Sequence, residues 1–186
     1  NHQLTDISGL EGLKELAVLN LIGTKLIDLR ALAGLRELTE LMLGYSGVSD
    51  ISALTGLTKL ETLDLSGNKL TVVGALVGLK ELKDLNLSEN QLTAVSALAG
   101  LIKLEELHLA YNHFANKQLM HLEALTRLEE LHLDGNKLSD VRPLAGLSRL
   151  KTLYLSDNKL SDKQLEHLAE LTRLKNLRLS DNPDLT

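Results

Sequence analysis

Apolar positions along the chain follow two periods that alternate in a fixed register. The pattern Leu-x-x-Leu-x-Leu begins at Leu16, Leu38, Leu60, Leu82, Leu104, Leu128, Leu150 and Leu174, at intervals of 22, 22, 22, 22, 24, 22 and 24 residues. In each copy the last two leucines alternate with polar neighbours, as Leu63 and Leu65 do within Glu61 to Ser66, which is the period of a half-buried strand. Eight strands are predicted, near 18–22, 40–44, 62–66, 84–88, 106–110, 130–134, 152–156 and 176–180. An apolar residue follows each of the first seven (Leu26, Val48, Leu70, Leu92, Phe114, Leu138, Leu160). Two positions ahead of it stands Thr24, Ser46, Asn68, Asn90, Asn112, Asn136 or Asn158, with Asn182 in the eighth copy. Beyond that point an apolar residue recurs every third position, as in Leu26, Leu29, Leu32, Leu35, Leu38 and in Leu70, Val73, Leu76, Leu79, Leu82. That spacing suits a tight 3₁₀-like return.

Strands this short are not stable alone, so neighbouring copies must pair them into a parallel sheet. The asparagine sits where the chain turns inward, and its amide can bond backbone groups that no sheet ladder reaches. Thr24 and Ser46 can supply only part of that bonding, so the first two coils are expected to be less rigid. The two 24-residue copies contain Asn116 to Leu125 and Asp162 to Leu171, each opening on an Asx residue with apolar positions at i, i+3 and i+6; both are predicted to be α-helical. Pro143 fits a short return whose turn needs no donor there. No linker interrupts residues 1–186, which read as a single domain. The chain enters in the second half of a coil and stops just after the eighth strand, with no obvious polar cap at either end. Repeat arrays normally need such caps. The expectation is a piece of a longer protein or an engineered array, with end-to-end self-association as the alternative.

The segment Leu60-Glu61-Thr62-Leu63-Asp64-Leu65-Ser66-Gly67-Asn68-Lys69-Leu70 closely matches the signature of leucine-rich repeat proteins, and nearly the whole chain resembles that family. Its 22-residue copies are most similar to the short class found in bacterial internalins and in the eukaryotic phosphatase-1 regulatory leucine-rich repeat protein. The resemblance implies an α/β solenoid: an arc with a concave parallel β-sheet inside and 3₁₀ or α-helical returns on the convex side. It also implies a protein-binding role. A phosphatase partner would follow from the regulator, but no contact residue is carried over, because this face is poor in aromatics.

Composition sharpens that picture. Leucine supplies 50 of 186 residues, while Phe, Tyr and Trp together number four, so the interior must be thin and regular. With no cysteine there is neither a disulfide framework nor a thiolate metal site. No run of 18 apolar residues occurs, so no transmembrane helix is predicted. Asn1-His2-Gln3-Leu4 lacks the features of a signal peptide; such a segment can be removed, so the compartment stays open, with the cytoplasm favoured.

The residues flanking the inner leucines form columns on the concave side, and their charge is uneven. Nine acids (Glu40, Asp64, Asp84, Glu89, Glu106, Glu130, Asp134, Asp157, Asp181) stand there against one base, Arg178, while the rest of the chain carries +3 of the total −5. Like charges on neighbouring strands repel. Retaining them favours a basic or polar protein partner; a plain solvated sheet face is the competing explanation. Glu106, His108, Tyr111, Glu130, His132, Asp134, Tyr154 and Arg178 are the candidate contact residues, with the tyrosines as anchors. His108 and His132, with a neighbouring carboxylate, have donor types that zinc accepts. Repeat duplication also produces such a pair, and a bare sheet offers no partners for the outer ring nitrogens, so no metal and no cofactor is assigned. Phosphate-loop, dinucleotide, nucleophile-elbow and His-Glu-x-x-His motifs are all missing, so no enzyme is expected. The acidic balance without a basic stripe argues against nucleic acid. Asn86-Leu87-Ser88 matches a glycosylation acceptor but falls within a predicted strand. A structural spacer within a larger protein, or an array with no natural ligand, is the competing role.

Overall fold

A computed structural model describes residues 4–26 and 28–186; Asn1 to Gln3, on which the leader assignment falls, lie outside them. Among the described residues eight strands form one parallel sheet in chain order: β1 (Val18–Asn20), β2 (Glu40–Met42), β3 (Thr62–Asp64), β4 (Asp84–Asn86), β5 (Glu106–His108), β6 (Glu130–His132), β7 (Thr152–Tyr154) and β8 (Asn176–Arg178). The chain is a leucine-rich repeat solenoid, an open arc of stacked coils. Regular strand covers three residues per coil, but ladder bonding runs further, with Leu43 N donating to Asp64 O and Tyr45 N to Ser66 O, both at 2.8 Å.

The three-residue spacing of the returns has a direct cause. Leu32 N donates to Leu29 O at 2.9 Å, Leu35 N to Leu32 O at 2.9 Å and Leu38 N to Leu35 O at 3.1 Å, so each apolar residue bonds the one three positions back. This is 3₁₀ bonding, and it stacks the leucines in columns while turning the chain. The same relay runs through Val73, Leu76, Leu79 and Leu82. Between sheet and returns the core is almost wholly leucine; Leu41, Leu85, Leu107, Leu131 and Leu153 are fully buried, and the one phenylalanine, Phe114, fills a column position at 1% exposure. Burying each leucine is worth roughly 1.5–3 kcal/mol, so stability is spread along the array rather than concentrated in one centre.

Helix in the two longer coils departs from expectation. Asn116–Leu122 is a 3₁₀ helix, and among the described residues only the last return contains an α-helical turn, α1 (Leu165–Leu168), after a 3₁₀ segment at Asp162–Gln164. The i, i+3, i+6 spacing is itself the 3₁₀ period, and Leu125 N to Leu122 O (2.9 Å) and Leu128 N to Leu125 O (3.0 Å) continue the same relay. Neither Asx residue caps its own helix. Asn116 Oδ1 accepts from Ser139 N (2.8 Å) and Asp140 N (3.2 Å), and Asp162 from Thr186 N (3.1 Å), so each pins the following coil. Gln118 and Gln164 reach the other way, accepting from Val95 N and Val141 N, both at 3.1 Å. The extra residues of the longer coils thus serve as cross-links between neighbours.

Candidate functional site

Parallel pairing in strict register builds the concave face. Glu106 faces Glu130 and His108 faces His132 across β5 and β6, while His132 faces Tyr154 and Tyr154 faces Arg178 across β6 to β8. One strand spacing, about 4.8 Å, is short enough for side chains of this size to touch, and the column from His108 through His132 and Tyr154 to Arg178 forms a continuous stack. The His108 and His132 rings meet edge to face with centroids 4.3 Å apart and planes at 87°. His132 lies nearly parallel to Tyr154, at 4.3 Å and 14°. The Arg178 guanidinium carbon sits 4.0 Å from the Tyr154 ring centre, a cation–π contact.

His132 is the hub of this stack. Its Nδ1 shares a hydrogen bond with His108 Nδ1 at 2.8 Å. Its Nε2 lies 2.9 Å from Glu130 Oε1, yet off the line needed for a hydrogen bond, so this buried nitrogen has no hydrogen-bond partner. Burial, then the neighbouring His108, push the His132 pKa down to about 4; Arg178 acts in the same direction and Asp134 against it. At neutral pH the ring is an uncharged imidazole. Asp84, beside Glu106 on β4, is held above the usual carboxylate range by burial first and by the Glu106 charge second. It forms with Glu106 and His108 a group whose donor atoms lie within 4.8 Å of one another, as do those of His108, Glu130 and His132.

The predicted residues divide into three sets. His108, Glu130, His132, Tyr154 and Arg178 come together as described. Tyr111 and Asp134 join His132, Tyr154 and Arg178 in the lining of a shallow concavity of ≈ 510 Å³, open to solvent. Asp134 is also a structural residue, since its Oδ1 accepts from Ser156 N in the next coil at 2.9 Å. Glu106 is exposed and is grouped with Asp84 and His108 rather than with the tyrosines. Asp84 escaped selection because an isolated aspartate in an acidic column carries no signal until its neighbours are known.

The rim of the face has a backbone peculiarity. Gly23, Tyr45, Gly67, Glu89, Tyr111, Gly135, Asp157 and Asp181 occupy one column, and all eight have φ between 53° and 70°. Glycine suits that left-handed region; a bulky side chain there costs roughly 1–2 kcal/mol. Each rim tyrosine is followed one coil later by a glycine whose missing Cβ makes room: a Cβ at Gly67 would collide with the Tyr45 ring, and one at Gly135 with Tyr111. Across Gly67 the Tyr45 hydroxyl donates to Glu89 Oε1 at 2.6 Å.

Much of the remaining charge is paired along a flank. Lys59–Glu37, Lys83–Glu61, Lys103–Glu81 and Lys151–Glu129 join adjacent coils at 2.5–2.6 Å. Among the described residues none of the nine concave acids forms such a pair with a lysine or arginine.

The family model for leucine-rich repeats matches residues 36–92 and 72–114, and the model for paired repeats matches 126–170. No curated protein sequence matches the chain. Among solved structures, internalin C2 of Listeria monocytogenes superposes with a TM-score of 0.92 at 38% identity, over 97% of this chain and 78% of its own. A leucine-rich repeat protein of Leptospira interrogans gives 0.89 at 31% identity, over 100% of this chain and 48% of that one. The Arabidopsis receptor kinase HAESA, in complex with the peptide hormone IDA and the co-receptor SERK1, gives 0.82 at 27% identity, over 96% and 32%. The chain spans 66% of a second Listeria internalin, internalin F.

Proposed function

Because the chain belongs to the leucine-rich repeat family, we propose that its concave face is a binding surface for a protein or peptide of basic or polar character. One observation carries the reading: the unbroken stack from His108 to Arg178, bordered by Glu106, Glu130 and the Tyr111 rim. It offers ring faces and fixed hydrogen-bonding groups at one end of an acidic sheet, which suits recognition of an extended segment laid across the strands. Two further facts support it. Tyr111 keeps 56% of its surface exposed in a backbone conformation that disfavours large side chains, and strain of that kind marks places where a side chain is wanted. HAESA, of the same architecture, holds a peptide hormone. Binding rather than catalysis is the proposed role, since an open concavity does not exclude water around a carboxylate pair as acid–base chemistry requires.

Panning a displayed random peptide library against the wild type tests this, with Glu106→Lys/Glu130→Lys as counter-screen. Asp134 stays intact because it holds Ser156 N. Enriched sequences should be rich in Lys and Arg, weaken with salt and lose the double variant. Enrichment of uncharged sequences that bind both proteins equally would sink the acidic-face reading, and absence of any enrichment would favour a spacer role.

A further inference from the structure

The pair of histidines at the centre of the face has a geometry that partner binding alone does not account for. We infer that His108 and His132 bind a divalent transition-metal ion of the zinc class between β5 and β6, with Glu130 orienting His132 and the open coordination positions facing the concave side. The inference goes beyond the partner-binding reading and does not rest on it, because the ion alone is the probe.

Three observations carry it. First, the two rings aim the same atom at each other: Nδ1 of His108 lies 2.8 Å from Nδ1 of His132. Two nitrogens on one tetrahedral zinc, with bonds of about 2.0–2.1 Å, sit about 3.3 Å apart. Opening the pair by about half an ångström, within side-chain rotation, therefore makes room for the ion. Strand register holds both Cα positions opposite one another, so the backbone does not have to move. Second, the outer nitrogen of His132 is buried, lacks a hydrogen-bond partner and has a carboxylate oxygen of Glu130 at 2.9 Å. When Nδ1 is given to a metal, the ring proton must sit on Nε2, whose nearby acceptor is Glu130 Oε1 at 2.9 Å, and the ring rotation that admits the ion must also bring this pair into line. Carboxylate, imidazole and metal in that order is how bound histidines are commonly oriented and made more basic. The sheet thus supplies the outer partner that sequence alone does not reveal. Third, His108 has its own acidic neighbours: Asp84 and Glu106 each place an oxygen within 4.8 Å of one of its ring nitrogens. Tyr154, stacked on His132 with planes 14° apart, restrains the tilt of that ring.

Donor chemistry selects the ion. Imidazole nitrogens suit zinc, copper, nickel and cobalt, whereas calcium and magnesium take sets of oxygens. The remaining positions on the ion belong to water or to an imidazole or carboxylate of a bound partner.

Titration calorimetry with zinc chloride alone, on protein dialysed against chelator and then exchanged into chelator-free buffer, tests this. One equivalent should bind, and calcium or magnesium should give no heat. His108→Gln and His132→Gln should each abolish binding, whereas His113→Gln and His121→Gln leave it unchanged. Glu130→Gln should weaken it by roughly 10- to 100-fold. Circular dichroism checks that each variant folds. The ring resonances of His108 and His132 in the wild-type protein provide a readout independent of mutation: both should shift together on zinc addition. No binding, or binding that survives both histidine variants with unshifted ring signals, would overturn the inference.

Discussion

The first two coils and the later ones solve the same problem, closing the inward turn, with different chemistry. At Asn68 the side-chain amide donates to Leu43 O, Leu65 O and Ser66 O, while its oxygen accepts from Ser46 N and Val48 N. Asn90 and Asn112 repeat the pattern, so each amide ties its own turn to the coil before it. Thr24 and Ser46 have only a hydroxyl to offer. Both hydroxyls donate to Leu21 O, at 2.7 and 2.8 Å, so the carbonyl side is served. The amide side is not: Leu26 N, which would meet an asparagine oxygen, turns instead to the backbone carbonyl of Ser46 at 3.2 Å. Coils can therefore stack without the asparagine, but the bond to Leu26 N becomes a longer backbone one. The concave surfaces differ as well. Val18, Ile22 and Met42 make the amino-terminal end apolar, while the imidazoles, Tyr154 and Arg178 occupy the other end.

The sharpest break of this contrast is Asn112→Ala set against Ser46→Ala. Removing the Asn112 amide strands Leu92 N in a buried turn and takes one donor from each of Leu87 O, Leu109 O and Ala110 O, which keep Asn90 Nδ2, Asn136 Nδ2 and Glu89 N. One buried N–H left unpaired costs about 1–3 kcal/mol, so with the weakened carbonyls the loss should be on the order of 3 kcal/mol. Ser46→Ala removes donation to Leu21 O and Gly44 O and an acceptor of the Thr24 hydroxyl, strands no N–H, and should cost on the order of 1 kcal/mol. Urea denaturation followed by circular dichroism gives both values; equal losses would mean that the two turn chemistries are equivalent.

Acid should reverse which end is weaker. The His132 pKa is depressed to about 4 from 6.5, so above pH 6.5 the ring is neutral whether folded or unfolded and its contribution is fully present. As pH falls from 6.5 toward 4, the unfolded chain takes up a proton that the folded ring refuses, and stability drops by at most roughly 3 kcal/mol. His108, Glu130, Asp134, Tyr154 and Arg178 surround the ring, and Asp84, whose pKa is raised, opposes the trend at the acid end by binding its proton more readily when folded. Urea midpoints measured in chelator should fall between pH 6.5 and 4 in the wild type and fall less in His132→Gln. A parallel decline in both would place the acid sensitivity elsewhere.

What could be read from the sequence follows from how each feature is encoded. The solenoid, the leucine columns and the asparagine turns are periodic, and a period survives without knowledge of the third dimension. Helix type in the longer coils did not survive, because a three-residue spacing fits both a 3₁₀ return and one face of a short α-helix; the carbonyl three residues back decided it. Asn116 and Asp162 have the composition of caps, yet their oxygens reach the next coil, a choice set by stacking distance. In the candidate site, register alone placed His108 opposite His132 and Tyr154 beside Arg178. Ring orientation was not encoded that way. The facing Nδ1 atoms, the unpaired Nε2 beside Glu130 and the part played by Asp84 depend on side-chain torsions that neighbouring coils impose.

Ser46→Asn asks whether the weaker turn is a matter of one side chain. Tyr45, just before it, already has the left-handed φ of 54° that the rim residues before the asparagines share, so the backbone is set for an amide. An asparagine at this site would keep donation to Leu21 O and add an acceptor for Leu26 N, replacing the 3.2 Å backbone bond with one like Leu70 N to Asn90 Oδ1 at 3.0 Å. The gain should be about 1 kcal/mol, the net worth of one further hydrogen bond. The contact of Ser46 Oγ with Thr24 Oγ1 is lost in exchange, which limits the effect to that size. Amide hydrogen exchange reads the result locally: Leu26 N–H should exchange faster than Leu70 N–H in the wild type and approach it in the variant. If Leu26 N–H remains fast while overall stability rises, the looseness of the first coils comes from their place in the stack and not from the missing amide.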